Sequence, residues 1–192
     1  MIRLSESSRT TKETQIAVKV DLDGTGISSI DLEPVFFRHM LEAISTHSLI
    51  DIDITARGDL SHHIVEDTAI VLGRCIRKAI DNGSYIRRFG YAIVPMDCAR
   101  TLACLDLAKR PYSIIDLQLK GEHIEDMMSE DVQHFFASLA QSLEASIHLV
   151  SECGANDHHK VESACKAMAL ALREGIVQDL RRQGVPSSKG VL

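Results

Sequence analysis

The chain has 192 residues with 45% hydrophobic and 25% charged side chains, the make-up of a globular protein of one large domain or two small packed ones. A formal net charge of −6 argues against a general nucleic-acid binder or a polybasic membrane surface, and no apolar run reaches the ~20 residues of a membrane helix. The N-terminal MIRLSESSRTTKET lacks a signal-peptide core, and five cysteines without a CxxC pair (Cys75, Cys98, Cys104, Cys153, Cys165) suit reduced thiols in the cytoplasm.

Residues 1–12 are polar and aperiodic. From Thr14 to Leu22, Ile16, Val18 and Val20 alternate with Gln15, Lys19 and Asp21, which predicts a half-buried strand. Asp23-Gly24-Thr25-Gly26 reads as a hairpin turn, with Ile27–Leu32 as the returning strand. Pro34 suits a helix start, and Phe37, Met40, Leu41 and Ile44 follow at i, i+3, i+4 and i+7. Leu49–Ala56 alternates again. From His62 to about Asp81, Val65, Ala69, Leu72 and Ile76 keep helical spacing, and Asp81-Asn82-Gly83-Ser84 ends the helix. The same order then recurs. Thr101–Leu107 and Tyr112–Leu119 read as strands joined through Lys109-Arg110-Pro111. Ser129–Leu143 is an amphipathic helix with Val132, Phe135, Phe136 and Leu139 on its apolar face. Ile147–Cys153 is a short strand and Asp157–Asp179 a long helix.

Single residues carry the same period. His62-His63-x-x-Glu66 and His158-His159-x-x-Glu162 lie 96 residues apart, and His39 and His134 lie 95 apart. This is the mark of an internal duplication. Residues 9–93 and 94–180 form the two halves, and residues 181–192 form a C-terminal tail. Each half is a strand-strand-helix-strand-helix unit of an α+β fold, an antiparallel sheet with helices packed on one face.

Within a helix, residues three or four apart share a face, so each glutamate can share a metal ion with a histidine of its own motif. Adjacent histidines point about 100° apart, so each pair serves two different ions. Six histidines (His39, His62, His63, His134, His158, His159) and two carboxylates (Glu66, Glu162) then give two ions four ligands each. Imidazole with carboxylate and no thiolate points to manganese, iron or zinc rather than calcium. His123 and His148 fall outside the pattern and read as structural. On the residues alone, His47 is a helix-end histidine, Glu13 is half of a solvated pair with Lys12, and Asp23–Gly26 is a turn without the helix a P-loop needs. Arg87-Arg88, Arg110, Lys166 and Ser187-Ser188-Lys189 read as solvated groups able to bind a phosphate.

The segments RTTKET (Arg9–Thr14), DLDGTG (Asp21–Gly26), FFRHML (Phe36–Leu41), HHIVEDTAI (His62–Ile70), RRFGYAIVPMD (Arg87–Asp97), KRPY (Lys109–Tyr112), NDHHKVE (Asn156–Glu162) and SSKGVL (Ser187–Leu192) resemble those of the imidazoleglycerol-phosphate dehydratase family over about residues 9–192. The resemblance implies two similar α+β halves, a shell of 24 subunits with metal sites between neighbours, and a cytoplasmic lyase of histidine biosynthesis. It implies two manganese ions per subunit and a small phosphate-bearing substrate, imidazole glycerol phosphate. The eight residues chosen by the repeat match its metal-ligand positions, with His39 also at the substrate. Glu13 matches its acid/base, with Asp97 the next candidate. His47, Arg88, Arg110, Lys166, Ser188 and Lys189 match substrate positions. The sequence departs from the family at Arg38 (FFDHML), at Ser61 before the first histidine pair (DDHHTVEDT), at Ser48 after His47, at Cys98 (PMDEAL) and at Lys109 (SGRP). These changes predict a loss of supporting carboxylates around the first site. Two other readings fit the residues, namely a different dinuclear metalloenzyme and a metal-held shell with weakened activity.

Overall fold

The computed structural model describes residues 3–81 and 85–179, with 181, 184, 186 and 187. The first half runs β1 (Leu4–Thr10), β2 (Thr14–Asp21), β3 (Ser28–Asp31), α1 (Val35–Ser48), β4 (Asp51–Gly58) and α2 (Ser61–Asp81). The second runs β5 (Phe89–Met96), β6 (Ala99–Asp106), β7 (Tyr112–Asp116), a small β8 (His123–Ile124) and β9 (Met127–Met128) hairpin, α3 (Ser129–Ser142), β10 (Ser146–Cys153) and α4 (Asp157–Gly175). The sheets have orders β1-β2-β4-β3 and β5-β6-β10-β7, position for position the same. In each, two antiparallel pairings are followed by a parallel edge strand, β3 along β4 and β7 along β10. The α+β duplication is therefore present, with mixed rather than wholly antiparallel sheets, one more strand in each four-stranded sheet than the sequence pattern suggests, and the β8–β9 hairpin in addition.

In the four-stranded sheets the extra strands are β1 and β5, and each hides for its own reason. β1 is LSESSRT, almost without apolar residues. It exists because its backbone pairs with β2 from Leu4↔Asp21 to Thr10↔Gln15, and because Arg9 reaches the Asp67 carboxylate of α2 at 2.7 Å. β5 fails the alternation test from the opposite side. Phe89, Tyr91 and Ile93 point outward and are 58%, 69% and 55% exposed, so neither face of the strand is polar. A division at 93/94 would cut through β5, which lies wholly in the second sheet.

Asp23–Gly26 is not a hairpin turn. The Asp51 carboxylate accepts the N–H groups of Thr25, Gly26 and Ile27 at 2.8, 2.9 and 2.8 Å. This bends the chain across β4, so that β3 pairs parallel to β4 instead of returning along β2. Gly24 lies against Asp51, where a Cβ would overlap the carboxyl group, and Gly26 takes φ 85°, so both turn positions call for glycine.

Helices cover only the inner face of each sheet, and the two helical layers then meet, α1 on α4 and α2 on α3. One apolar core runs through both halves, from Ile16, Val18 and Ile54 through Leu41 and Leu72 to Phe136, Ile147 and Met168. Each such buried side chain contributes about 1.5–3 kcal/mol. Phe37 and Phe135 meet edge to face across the layers, centroids 5.2 Å apart. The β8–β9 turn adds a polar tie, since its Asp126 accepts the first N–H groups of α1, from Val35 and Phe36, at 2.6 and 2.9 Å. Among the described residues, no helix is long and apolar enough to cross a membrane.

Candidate metal centre

Both histidine pairs sit in the first turn of a helix, His62 and His63 on α2, His158 and His159 on α4. The N-cap Asn156 accepts the His159 N–H at 3.2 Å and so sets the start of α4. The first histidine of each pair faces the glutamate one turn on, together with a histidine from the other half of the chain. His62 and Glu66 meet His134 of α3, and His158 and Glu162 meet His39 of α1. In each trio the ligand-type atoms lie within 4.8 Å of one another. His134 Nε2 is 3.6 Å from Glu66 Oε1, and His158 Nε2 is 3.4 Å from Glu162 Oε2. The His62 and His134 rings stack at 4.8 Å. Clefts of about 520 and 470 Å³ open beside the first and second trios.

The second histidine of each pair turns elsewhere. His63 Nδ1 is 2.8 Å from Asp59 Oδ1 and 4.0 Å from Glu13 Oε2. His159 Nε2 is 3.5 Å from Asp97 Oδ2, and its Nδ1 is 3.5 Å from Cys98 Sγ. Glu13 lies between β1 and β2 and Asp97 between β5 and β6, the same turn of the two repeats. The two acid/base candidates therefore occupy equivalent places beside equivalent histidines.

Sequence reasoning missed the carboxylates that hold the rings. His62 Nδ1 is 2.6 Å from Asp131, whose side chain is only 4% exposed, and His158 Nδ1 is 3.1 Å from Glu125. With Asp59 on His63, three of the four paired histidines have Nδ1 held by a carboxylate and Nε2 left for a ligand, the arrangement typical of metal-binding imidazoles. Arg38 and Ser61 carry no carboxylate, but Asp59 and Asp131 hold the His63 and His62 rings. Asp59, four residues before His63, carried a helical-spacing signal; Asp131, which reaches His62 from 69 residues away, and Glu125, in the β8–β9 turn, carried none.

The residues suit a transition metal: two imidazoles and one carboxylate per trio, with one ring of each trio, His62 or His158, held from behind by a further carboxylate. Burial opposes the charge of Glu162, but the Lys166 ammonium 2.8 Å from Oε1, with His39 and His158 nearby, holds its carboxyl below the usual range. Burial, helped by the Lys166 charge, pushes the His47 pKa down. His47 thus belongs to the surroundings of the second trio rather than being an isolated helix end. The hydrogen bond to His159, with the Ala155 and Asn156 N–H groups, lowers the Cys98 thiol to about 7.

Other candidates are placed differently. Arg88, at φ 78°, binds Asp106 at 2.6 and 3.0 Å, lies 4.6 Å over the Phe89 ring and donates to the Pro186 carbonyl at 2.9 Å. Arg110 is exposed in the β6–β7 connection. Neither makes a described contact with a trio. Ser188 and Lys189 lie outside the described residues.

A duplicated α+β protein built around paired imidazole–carboxylate clusters is the class that fold and site define. A family model described as imidazoleglycerol-phosphate dehydratase matches residues 33–172. The chain is 42% identical to the imidazoleglycerol-phosphate dehydratase of Methanothermobacter thermautotrophicus over all of this chain and 98% of that one. It is 44% identical to that of Aliarcobacter butzleri, over 97% and 99%. The crystal structure of the Pyrococcus furiosus dehydratase superimposes with a TM-score of 0.84 at 36% identity, covering 97% of this chain and 100% of that one. The chain belongs to the imidazoleglycerol-phosphate dehydratase family and is a lyase of histidine biosynthesis.

Proposed function

We propose that the enzyme removes water from imidazole glycerol phosphate to give imidazole acetol phosphate, with two manganese ions per subunit, one at each trio. The observation that carries this reading is the repeated two-imidazole, one-carboxylate cluster, with Nδ1 of His62 and His158 already tied back by carboxylates. When bound, such ions supply Lewis acidity to the two nitrogens of the substrate ring. The chain's own groups hold, orient and move protons. Glu13, 59% exposed and near His63, is the group that takes the carbon-bound proton and returns one to the departing hydroxyl, so that water leaves and the enol becomes the ketone. Asp97, at the equivalent turn, is the alternative carrier. Lys166, paired with the Glu162 carboxylate, is the cation beside the second trio that can meet the substrate phosphate, and Arg88, Arg110, Ser188 and Lys189 are the further phosphate-binding groups that the family resemblance implies.

His63 and His159 stand apart from the trios of their own chain, which supports the proposal that they complete the sites of neighbouring subunits in a 24-subunit shell. The outer face of the second sheet supports self-association as well: Phe89, Tyr91, Ile93, Tyr112 and Ile114 are exposed there, whereas the equivalent face of the first sheet carries Gln15, Lys19, Asp53, Thr55 and Arg57. Five unlinked cysteines fit the proposed cytoplasmic location. Chelator-stripped protein should lose turnover of imidazole glycerol phosphate and regain it with manganese, at two ions per chain by elemental analysis. Turnover indifferent to chelation, or a content below about half an ion per chain after manganese is offered, would overturn the metal reading.

A further inference from the structure

The four histidines of the two HHxxE motifs are not held alike. His62, His63 and His158 each present Nδ1 to a carboxylate, at 2.6, 2.8 and 3.1 Å. His159 presents Nδ1 to a sulfur, Cys98 Sγ, at 3.5 Å. The only carboxylate the described contacts give to this ring, Asp97, is on the other nitrogen. Cys98 is itself fixed, because it ends the β5–β6 turn and its sulfur accepts the Ala155 N–H at 3.4 Å. The sulfur thereby ties that turn to the residues leading into α4. Asn156 fixes the His159 backbone, so rotation of the ring is the freedom that remains.

We propose that Cys98 is a positioning residue for His159, its sulfur accepting the Nδ1–H and leaving Nε2 as the nitrogen that serves a ligand. It does for this ring what Asp131, Asp59 and Glu125 do for the other three, through a longer and weaker bond. The ligand in question is the proposed metal, so the consequence for affinity rests on that reading; the ring geometry does not. The chain is then asymmetric by construction: three rings are held by carboxylates, and the fourth is held by a thiol.

The tautomer of His159 tests the proposal without metal. Histidine-labelled, metal-free protein at about pH 8, where an ordinary imidazole is neutral, should show His159 protonated on Nδ1 in long-range proton–nitrogen spectra, its signals identified by their absence in His159→Gln. Cys98→Ala should move that ring towards the Nε2–H form, and Cys98→Glu should restore Nδ1–H, with the other three rings unchanged. Calorimetric titration of manganese into the stripped full-length chain should show one class of site weakened about 10–100-fold in Cys98→Ala and recovered in Cys98→Glu. An unchanged His159 tautomer in Cys98→Ala overturns the proposal. So does a loss of affinity that Cys98→Glu fails to recover, which would mark a merely structural role. If the wild-type chain binds no manganese, the metal reading fails, while the tautomer still decides the link between Cys98 and His159.

Discussion

Replacing Asp131 by alanine strips His62 of the carboxylate that fixes its ring. Asp131 is buried, its Oδ1 is 2.6 Å from His62 Nδ1, and α3 carries it from the second half to a histidine of the first. Without it the ring can rotate and its Nε2 loses basicity, so affinity for manganese at the first trio should fall about 10–100-fold, or roughly 1.4–2.8 kcal/mol. Asp131 also lies in the first turn of α3, where a negative charge stabilises the helix by about 0.3–1 kcal/mol. Glu130 shares that turn but is exposed, so Glu130→Gln isolates the helix effect. It should lower Tm by about 1–4 °C and leave metal binding alone. Calorimetric manganese titrations with thermal melts on both variants separate the two effects. Wild-type manganese affinity in Asp131→Ala, or equal losses in both variants, would refute the reasoning.

Glu13→Gln should keep metal content and KM within a few-fold of wild type and lose at least about 10²-fold in kcat, whereas a normal kcat would pass the role to Asp97. The N–H of Ile27, followed by those of Thr25 and Gly26, holds the Asp51 carboxyl below its ordinary range. Because its pKa is lower folded than unfolded, its contribution is present above the unfolded value of about 3.9 and lost as pH falls through the folded one. Asp51→Asn should flatten the fall of Tm in that acid window, and an unchanged acid limb would count against it. Gly24→Ala drives a methyl into the Asp51 carboxyl and should cost about 1–3 kcal/mol, read as a Tm lower by roughly 2–10 °C; an unshifted melt would mean the turn relaxes freely.

The repeat of His62-His63-x-x-Glu66 in His158-His159-x-x-Glu162 was enough to select all eight ligand candidates and to show that each adjacent pair faces two ways. Those relations are local, because the helix dictates which residues three or four apart share a face. The helices α1 to α4 were legible for the same reason, their apolar stripes matching the helical period. Partnership between halves was not legible. That His134 joins His62 and Glu66, and that His39 joins His158 and Glu162, follows from α2 packing on α3 and α1 on α4. One shared apolar core, rather than two separate ones, imposes that packing. The same holds for Asp131 and Glu125, brought to their histidines from 69 and 33 residues away. It holds for β1, a strand by virtue of its partner β2, and for the parallel edge strands β3 and β7, whose backbone donors and acceptors are satisfied only across a crossover. Helical spacing is a property of the chain over one turn; which turn meets which is decided by burying two apolar faces against each other.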